Sequence, residues 1–254
     1  MIDGLRLDRV TMTGADDETP IKDLVALSKE YPFVEWGILV SPRRVGTERF
    51  PGAIWQQALA DEIMARPGMK ISVHLCGGYV RSVLAHGTLA VQEIPIWGVA
   101  GRVQLNFHAE PHDFYPGAFI ALLQHWQRQV IFQIDGVNGE AFNVAGIGNV
   151  DATPLFDTSG GAGVLPGVWP AATYHKRAAA RHEDHEHVAH RRLYHGYAGG
   201  LGPETIADEL PKIAQAANGA RIWIDMEGRV RTAERFDLEK VRAVLDYCAG
   251  EITR

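Results

Sequence analysis

Short runs of apolar residues alternate with longer amphipathic stretches along almost the whole chain. Eight of these runs are about five to eight residues long and rich in Val, Ile, Leu and aromatic residues, which is typical of parallel strands covered by helices. The predicted strands are Leu7–Thr13, Phe33–Val40, Lys70–Cys76, Arg102–His108, Gln129–Asp135, Ala152–Asp157, Tyr194–Ala198 and Arg221–Asp225.

Stretches between these strands carry apolar residues at helical spacing. The predicted helices are Pro20–Glu30, Ile54–Ala65, Phe119–Arg128, Pro203–Ala217 and Asp237–Cys248. Pro203 and Asp237 indicate helix starts, because proline suits the first helical turn and aspartate caps free amides. Strict alternation of strand and helix predicts right-handed crossovers and a parallel sheet. We therefore predict the α/β class with a single (β/α)8 barrel, or TIM barrel, that occupies residues 1–254 as one domain.

A long insertion around residues 164–193 interrupts this alternation between the sixth and seventh strands. Its part Ala171–Leu193 is rich in alanine, histidine and charged residues, which predicts an exposed helix. The pairs His182 with His185 and His187 with His190 are spaced to share a helix face, as metal ligands would. The charged neighbours favour a solvated helix over a metal site, so a lid or an oligomer contact is expected here.

Charge and composition exclude several classes of partner. The chain has 254 residues, with 25 basic against 31 acidic side chains, and this balance gives no general attraction for a nucleic-acid backbone. No apolar stretch reaches about 18 residues, so we expect no membrane span. The first residues lack an apolar signal core, and Cys76 and Cys248 show no metal-type spacing. We expect a cytoplasmic protein.

Polar residues gather toward the C-terminal ends of the predicted strands, which form the active face of such barrels. Period-two alternation places each set on one face of its strand, and the apolar residues between them should meet the helices. These polar residues are Ser72, His74, Cys76, Gln104, Asn106, His108, Gln133, Asp135 and Asp157. A ligand site would explain such a buried polar cluster, and a hydrated interior without chemistry is the alternative.

Two glycine-bearing corners predict a phosphate site. Residues 198–204 read Ala-Gly-Gly-Leu-Gly-Pro-Glu after the seventh strand, and Glu227-Gly228-Arg229 follows the eighth. Loops in these positions commonly hold a phosphate, because glycines let backbone N–H groups approach the anion. Arg229 and Arg231 would add positive charge. Plain turns are the alternative interpretation.

Several motifs together resemble the phosphoribosylanthranilate isomerase family of the ribulose-phosphate-binding barrel group, over most of the chain. They are Val10-Thr11-Met12-Thr13-Gly14 on the first strand, Ser41-Pro42-Arg43 after the second, Val103-Gln104-Leu105-Asn106 on the fourth, Phe156-Asp157 with Gly160-Gly161-Ala162-Gly163 after the sixth, Ala198-Gly199-Gly200-Leu201 with Pro203-Glu204 after the seventh, and Ile224-Asp225 with Gly228 on the eighth. The motifs after the sixth and seventh strands are the most specific.

The resemblance implies an Amadori rearrangement of a phosphoribosylamine, without a metal or another cofactor. Asp157 holds the place of the family's general acid, and Arg43 that of the arginine facing the substrate carboxylate. Gly199, Gly200 and Gly228 would line the phosphate. With Arg43, we assign Gln104, Asn106 and Asp135 to substrate binding, and Arg229 to the phosphate.

One position departs from the family, because Thr13 stands where its cysteine base is found. A hydroxyl cannot replace a thiolate without a strong neighbouring base. Candidates for another base are Asp16, Asp17, His74, Cys76, His108 and Asp135. We favour His108 or His74, since imidazole titrates near neutrality. The predicted catalytic positions are therefore Asp157, His108, His74 and Thr13.

Two other functions stay open. A barrel without the cysteine base could bind a small phosphorylated metabolite without turning it over. A metal-dependent phosphosugar epimerase is the second, because Val73-His74-Leu75 and Phe107-His108-Ala109-Glu110 resemble pieces of those enzymes. Those enzymes also take a histidine and an aspartate from the second strand, where this chain has neither, so we expect no metal site. A homodimer is also left open.

Overall fold

The computed structural model describes residues 1–107, 114–134, 139–157, 162–172, 174–175, 191–192 and 194–253. Eight parallel strands close into a barrel, which confirms the predicted (β/α)8 fold. The barrel strands are β1 (Arg6–Thr13), β2 (Val34–Val40), β3 (Lys70–Cys76), β4 (Arg102–Asn106), β5 (Gln129–Ile134), β6 (Ala152–Asp157), β7 (His195–Ala198) and β8 (Arg221–Met226).

Each strand pairs with its neighbours in chain order, and β8 pairs with β1 to close the ring. The strands β3 and β6 have the predicted bounds, whereas the others differ by one or two residues at one end. The described part of β4 ends at Asn106 and that of β5 at Ile134, whereas the predicted strands extended to His108 and Asp135. Both residues lie outside the part of the chain that the structure describes.

A described helix follows every barrel strand except β6. The described helices are α1 (Ile21–Glu30), α2 (Ala53–Ala65), α3 (Gly78–His86), α4 (Pro116–Trp126), α5 (Gly139–Ile147), α6 (Ile206–Ala217) and α7 (Leu238–Ala249). The sequence pattern missed α3 and α5, because both begin at a glycine, a residue that signals a turn more strongly than a helix. The amphipathic pattern predicted the other five helices, although α4 runs from Pro116 to Trp126 and not over the predicted Phe119–Arg128.

The start of α6 lies at Ile206, so the prediction that it begins at Pro203 is wrong. The hydroxyl of Thr205 donates to the carbonyl of Gly200 and accepts from the N–H of Gly202, and these bonds hold the preceding residues in a turn. The start of α7 is confirmed, because Asp237 caps it by accepting from the N–H groups of Glu239 and Lys240.

The described ends of the long insertion are extended. Tyr174–His175 pairs antiparallel with Arg191–Arg192, so the predicted helix over Ala171–Leu193 is wrong at these positions. Helical propensity reports only local preference, whereas pairing depends on two segments that are brought together by the fold. Residues 176–190, with the predicted histidine pairs up to His190, lie outside the described residues. None of the described helices is long and apolar enough to cross a membrane.

The apolar and polar faces of the strands are divided as the alternation predicts. Val73 and Leu75 of β3, for example, are buried in the core between the barrel and its helices. A separate small cluster of buried residues occupies inward-facing positions of the strands. It consists of Ile131, Leu155, Ala198 and Trp223. The polar residues of the same strands therefore line the interior and its mouth.

Candidate active site

A cavity of about 540 Å³ opens at the C-terminal ends of the strands, where the sequence predicts the site. Its lining includes the predicted polar residues His74, Gln104, Asn106, Gln133 and Asp157. The Nε2 of Gln133 donates to Oδ2 of Asp157 over 2.7 Å, and the Nε2 of Gln104 donates to Oδ1 of Asn106 over 2.9 Å. Side chains from four consecutive strands thus form one polar wall.

The glycine corners lie on the same cavity as the predicted acid. Gly199, Gly200, Gly228 and Arg229 line it together with Asp157. Loops after β6, β7 and β8 therefore meet at one mouth. The glycine corners of the phosphate prediction and the carboxyl group of the acid prediction therefore face the same cavity.

Gly200 and Gly228 are required for different reasons. Gly200 has φ +66°, and a Cβ there would lie 2.5 Å from the backbone nitrogen of Leu165. Packing against the loop after β6 therefore requires glycine at this position whether or not an anion binds. A Cβ on Gly228 would meet no atom within 4 Å, so this corner is open toward the cavity.

Arg229 and Arg231 differ in whether their side chains are free to contact a ligand in the cavity. Arg229 is exposed, and no carboxylate of the described residues forms an ion pair with it. Arg231 is buried: it hydrogen-bonds the carbonyl of Gly14 and lies 3.2 Å from a carboxylate oxygen of Asp16. Arg231 therefore joins the loops after β8 and β1 and does not belong to the cavity lining, contrary to the expectation that it would add charge there.

Arg43, the predicted carboxylate clamp, is exposed and does not line the cavity, whereas the next residue, Arg44, does. The guanidinium of Arg44 lies 4.5 Å from the ring centroid of Phe50, another lining residue. Arg49 also lines the mouth and pairs with Glu227 over 2.6 Å. Nothing in the local sequence distinguishes which of these two adjacent arginines lines the cavity.

Thr13 does not line the cavity, but it contacts a residue that does. Its buried hydroxyl donates to Oδ1 of Asp225 over 2.8 Å. Burial raises the pKa of Asp225 to about 7, and the hydrogen bond from Thr13 offsets only part of this effect. The site prediction missed Asp225, although it ends the last predicted strand as Asp157 ends the sixth. Its position at the C-terminal end of a predicted strand could have identified Asp225 as a site residue.

The candidate bases suggested by the sequence differ in their pKa values and in their partners. Burial lowers the pKa of His74 to about 3, so its imidazole is neutral and a weaker base than an ordinary histidine. Its Nε2 has no hydrogen-bond partner among the described residues. Burial raises the pKa of Cys76 to about 12, which keeps it a thiol. Asp16 pairs with Arg231, and Asp17 accepts from the N–H of Gly52.

Metal ligands do not cluster within the described part of the chain. No group of three or more His, Cys, Asp or Glu side chains there is placed to hold an ion. His108 and residues 176–190 lie outside the described residues.

Comparison with known proteins supports the fold. No protein-family model matches the chain, and no curated protein matches it by sequence. A monomeric form of the dimeric phosphoribosylanthranilate isomerase from Thermotoga maritima is 14% identical, with a TM-score of 0.52 over 96% of this chain and 100% of that chain. The N-(5'-phosphoribosyl)anthranilate isomerase from Pyrococcus furiosus is 13% identical, with a TM-score of 0.50 over 95% and 99%.

An enzyme of another reaction class is equally similar in structure. A truncated 3-deoxy-D-arabino-heptulosonate 7-phosphate synthase from Thermotoga maritima is 11% identical, with a TM-score of 0.54 over 98% of this chain and 87% of that chain. At such low identities the likeness shows a TIM-barrel fold and leaves the reaction to be inferred from the site.

Proposed function

We propose that this protein binds a phosphorylated sugar or sugar-amine at the mouth of the barrel and isomerises it by metal-independent proton transfer. The reaction class is that of the phosphoribosylanthranilate isomerase family, which the sequence motifs resemble. The observation that carries the proposal is the shared cavity: Gly199, Gly200, Gly228 and Arg229 line it together with Asp157. A phosphate group at the glycine corners would place the rest of a small sugar beside that carboxyl group.

The size and charge of the cavity support this substrate class. A volume of about 540 Å³ lies within the range of small-molecule sites. Arg44 and Arg229 line the mouth, and neither pairs with a carboxylate of the described residues. Cations without a partner at an opening attract an anionic ligand and raise its local concentration. The amides of Gln104, Asn106 and Gln133 offer neutral hydrogen-bonding groups, which suit sugar hydroxyls.

Asp157 supports the proposed chemistry. Its side chain is buried at the end of β6, and Gln133 orients it by donating to Oδ2. An oriented carboxyl group in a mouth of this kind can donate a proton to a ring oxygen, which opens the sugar ring. A protein that only bound a phosphate would have no use for this group.

The binding part of the proposal is tested by thermal denaturation with ribose 5-phosphate and with ribose at equal concentration. Only the phosphate ester should raise the melting temperature, because a ligand of the native state stabilises it. Gly228→Asp and Arg229→Gln should reduce the shift, since they add a negative charge or remove a positive one at the mouth. Arg235→Gln is the control: Arg235 is exposed, pairs with Glu18, and does not line the cavity.

Equal shifts with ribose and ribose 5-phosphate would refute phosphate recognition. An equal loss in Arg235→Gln and Arg229→Gln would show that the effect is one of general charge. Binding by wild type and by Asp157→Asn, with no turnover by wild type of phosphoribosylanthranilate or ribose 5-phosphate, would indicate a phosphometabolite-binding barrel instead.

Turnover is tested with the same two compounds. Asp157→Asn should keep the thermal shift and lose activity by about 10²- to 10⁴-fold, the usual contribution of a positioned general acid. Thr13→Cys returns a thiol to the place of the family's base. Activity that appears only in this variant would identify the chain as a diverged relative that has lost the reaction.

A further inference from the structure

The hydroxyl of Thr13 and the carboxyl group of Asp225 meet across the seam that closes the barrel. Thr13 ends β1, and Asp225 belongs to the neighbouring strand β8. Among the described residues only Thr13 hydrogen-bonds this carboxyl group, and it does so through Oδ1 over 2.8 Å. Asp225 lines the cavity, whereas Thr13 lies behind it. The threonine therefore fixes one carboxylate oxygen and leaves Oδ2 to the cavity.

Asp225 lies in the same layer of the barrel as Asp157. Both residues are in register with Ala198 of β7, one on either side of it. Their backbones are therefore about 10 Å apart, since neighbouring strands are spaced by about 4.8 Å. Two carboxyl groups that face one cavity from this separation can reach different atoms of a single bound sugar.

Packing fixes the hydroxyl of Thr13. A Cβ on Gly37 of β2 would strike Oγ1 of Thr13 and lie 2.8 Å from Cε1 of His74. The glycine thus allows the threonine and the imidazole to approach each other. With Gly37 on one side and Asp225 on the other, the hydroxyl has little freedom to turn away from the carboxylate.

The surroundings of Asp225 suit proton abstraction. Burial is the main reason that its pKa is raised to about 7, and the negative charges of Glu227 and Glu35 raise the pKa further. The hydrogen bond from Thr13 and the positive charge of Arg102 act in the opposite direction and lower the pKa. The charges that act on Asp225 are those of Glu227, Glu35 and Arg102. The other charged and titratable groups of the same cavity lining are His74, Cys76 and Asp157, with Arg44, Arg49 and Arg229 at the mouth. A carboxylate with such a pKa is a stronger base than an ordinary one and is substantially ionised at neutral pH.

We propose that Asp225 is the base that removes the proton from C2 of the substrate, and that Thr13 is a positioning residue which orients it. The inference rests on the proposed function. It gives Thr13 a purpose at the position where the resembling family has its thiol: the residue no longer takes the proton itself but holds the group that does.

The proposed reaction is an acid–base rearrangement of a phosphoribosylamine. Asp157 gives its proton to the ring oxygen, the C1–O bond breaks, and the nitrogen lone pair forms an iminium group with C1. The Asp225 carboxylate takes the proton from C2, the C–H electron pair forms the C1=C2 bond, and the iminium electron pair returns to nitrogen. Asp225 then gives its proton to C1, while the O2 proton returns to Asp157, which leaves the aminoketose and regenerates both groups.

The experiment compares wild type, Asp225→Asn, Thr13→Val and Thr13→Ser. Thermal shifts with ribose 5-phosphate are measured first, and all four should bind. Exchange of the C2 proton of ribose 5-phosphate with deuterium from solvent, followed by NMR, and turnover of phosphoribosylanthranilate are then measured across pH. Asp225→Asn should lose both rates by at least about 100-fold.

Thr13→Val should move the acidic limb of the kcat/KM profile to higher pH, because the lost hydrogen bond no longer lowers the pKa of Asp225. Thr13→Ser, which keeps the hydroxyl, should restore the wild-type profile. Thr153→Val is the matched control: Thr153 is buried on β6, and its hydroxyl has no hydrogen-bond partner among the described residues. A merely structural role of Thr13 would lower activity without moving the limb.

The outcomes separate this inference from the proposed function. Absence of a phosphate-dependent thermal shift in wild type would overturn both. Activity of Asp225→Asn within a few-fold of wild type, or an unmoved acidic limb in Thr13→Val, would overturn only the assignment of Asp225 as the base positioned by Thr13. Binding by wild type with neither exchange nor turnover would overturn this assignment together with the proposed isomerisation, and would leave only phosphate binding.

Discussion

Glu35 and Arg102 form an ion pair inside the barrel, in which Nε of the arginine lies 3.0 and 3.1 Å from the two carboxylate oxygens. Arg9 and Thr11 complete the set, at 2.6 and 3.0 Å from the same carboxylate. Burial by itself would raise the pKa of Glu35, but the charge and hydrogen bonds of Arg102 outweigh it and lower the pKa to about 2. Neither Glu35 nor Arg102 lines the cavity.

Glu35→Gln should destabilise the protein by about 3–5 kcal/mol, because it leaves the buried guanidinium of Arg102 without a counter-charge. The free energy of unfolding, measured in urea, checks this. Glu30→Gln is the control, since Glu30 and Arg242 form a largely exposed pair, and it should cost less than about 1 kcal/mol. A loss in Glu35→Gln as small as that in Glu30→Gln would contradict the prediction.

The ion pair of Glu35 and Arg102 predicts that the free energy of unfolding depends on pH. Because the folded-state pKa of Glu35, about 2, lies below its usual value of 4.5, its stabilising effect is present above pH 4.5 and is lost as pH falls toward 2. The difference in unfolding free energy between wild type and Glu35→Gln should therefore shrink over that range. A difference that stays constant would show that the charge is not responsible.

Asp225 predicts a change of stability with pH in the opposite direction. Its folded-state pKa of about 7 lies above the usual 3.8, so the unfolded chain releases this proton before the folded protein does. Wild type should lose stability as pH rises from about 4 to 7, at no more than about 1.4 kcal/mol per pH unit. Asp225→Asn lacks this loss, so its melting temperature relative to wild type should rise over the same interval. A pH-independent difference would contradict the prediction.

Gly37→Ala should destabilise the barrel by about 1–3 kcal/mol, because the new methyl group would strike the hydroxyl of Thr13 and crowd His74. Chemical denaturation measures the cost. Gly250→Ala is the control, since a Cβ there meets no atom within 4 Å and the backbone is helical. It should be neutral or slightly stabilising. Equal costs in the two variants would show that the crowding at Gly37 is absent.

Asp237→Ala should destabilise the protein by about 1 kcal/mol, because the side chain accepts from two N–H groups at the start of α7. Asp237→Asn keeps an acceptor oxygen and should recover most of the loss. The two melting temperatures measure this. Equal losses in both variants would mean that the cap contributes little.

The barrel and the side on which its polar residues lie were predictable from the sequence. The alternation of polar and apolar residues is a local property, and it fixes which side chains of β3 to β6 face inward once the strands form. His74, Gln104, Gln133 and Asp157 were identified in this way, and all of them line the cavity. The start of α7 was predictable for the same reason, since its cap lies within the segment itself.

The properties of individual groups in the site depended on residues far away in the chain. Thr13 and Asp225 are 212 positions apart, and only closure of the barrel makes them hydrogen-bond partners. The pKa values of His74 and Asp225 follow from burial and from charges on other strands, which no local pattern encodes. The choice of Arg44 over Arg43 likewise depended on how one loop turns at the mouth.

The sequence by itself therefore determined the strands, their inward polar faces and the end of the barrel at which the polar cavity lies, because these follow from short-range periodicity. Only the tertiary structure decided which carboxyl group is held by Thr13, which imidazole stays neutral and why Gly200 must be glycine. Those outcomes arise from desolvation, from Coulomb interactions and from close packing between segments that are distant along the chain.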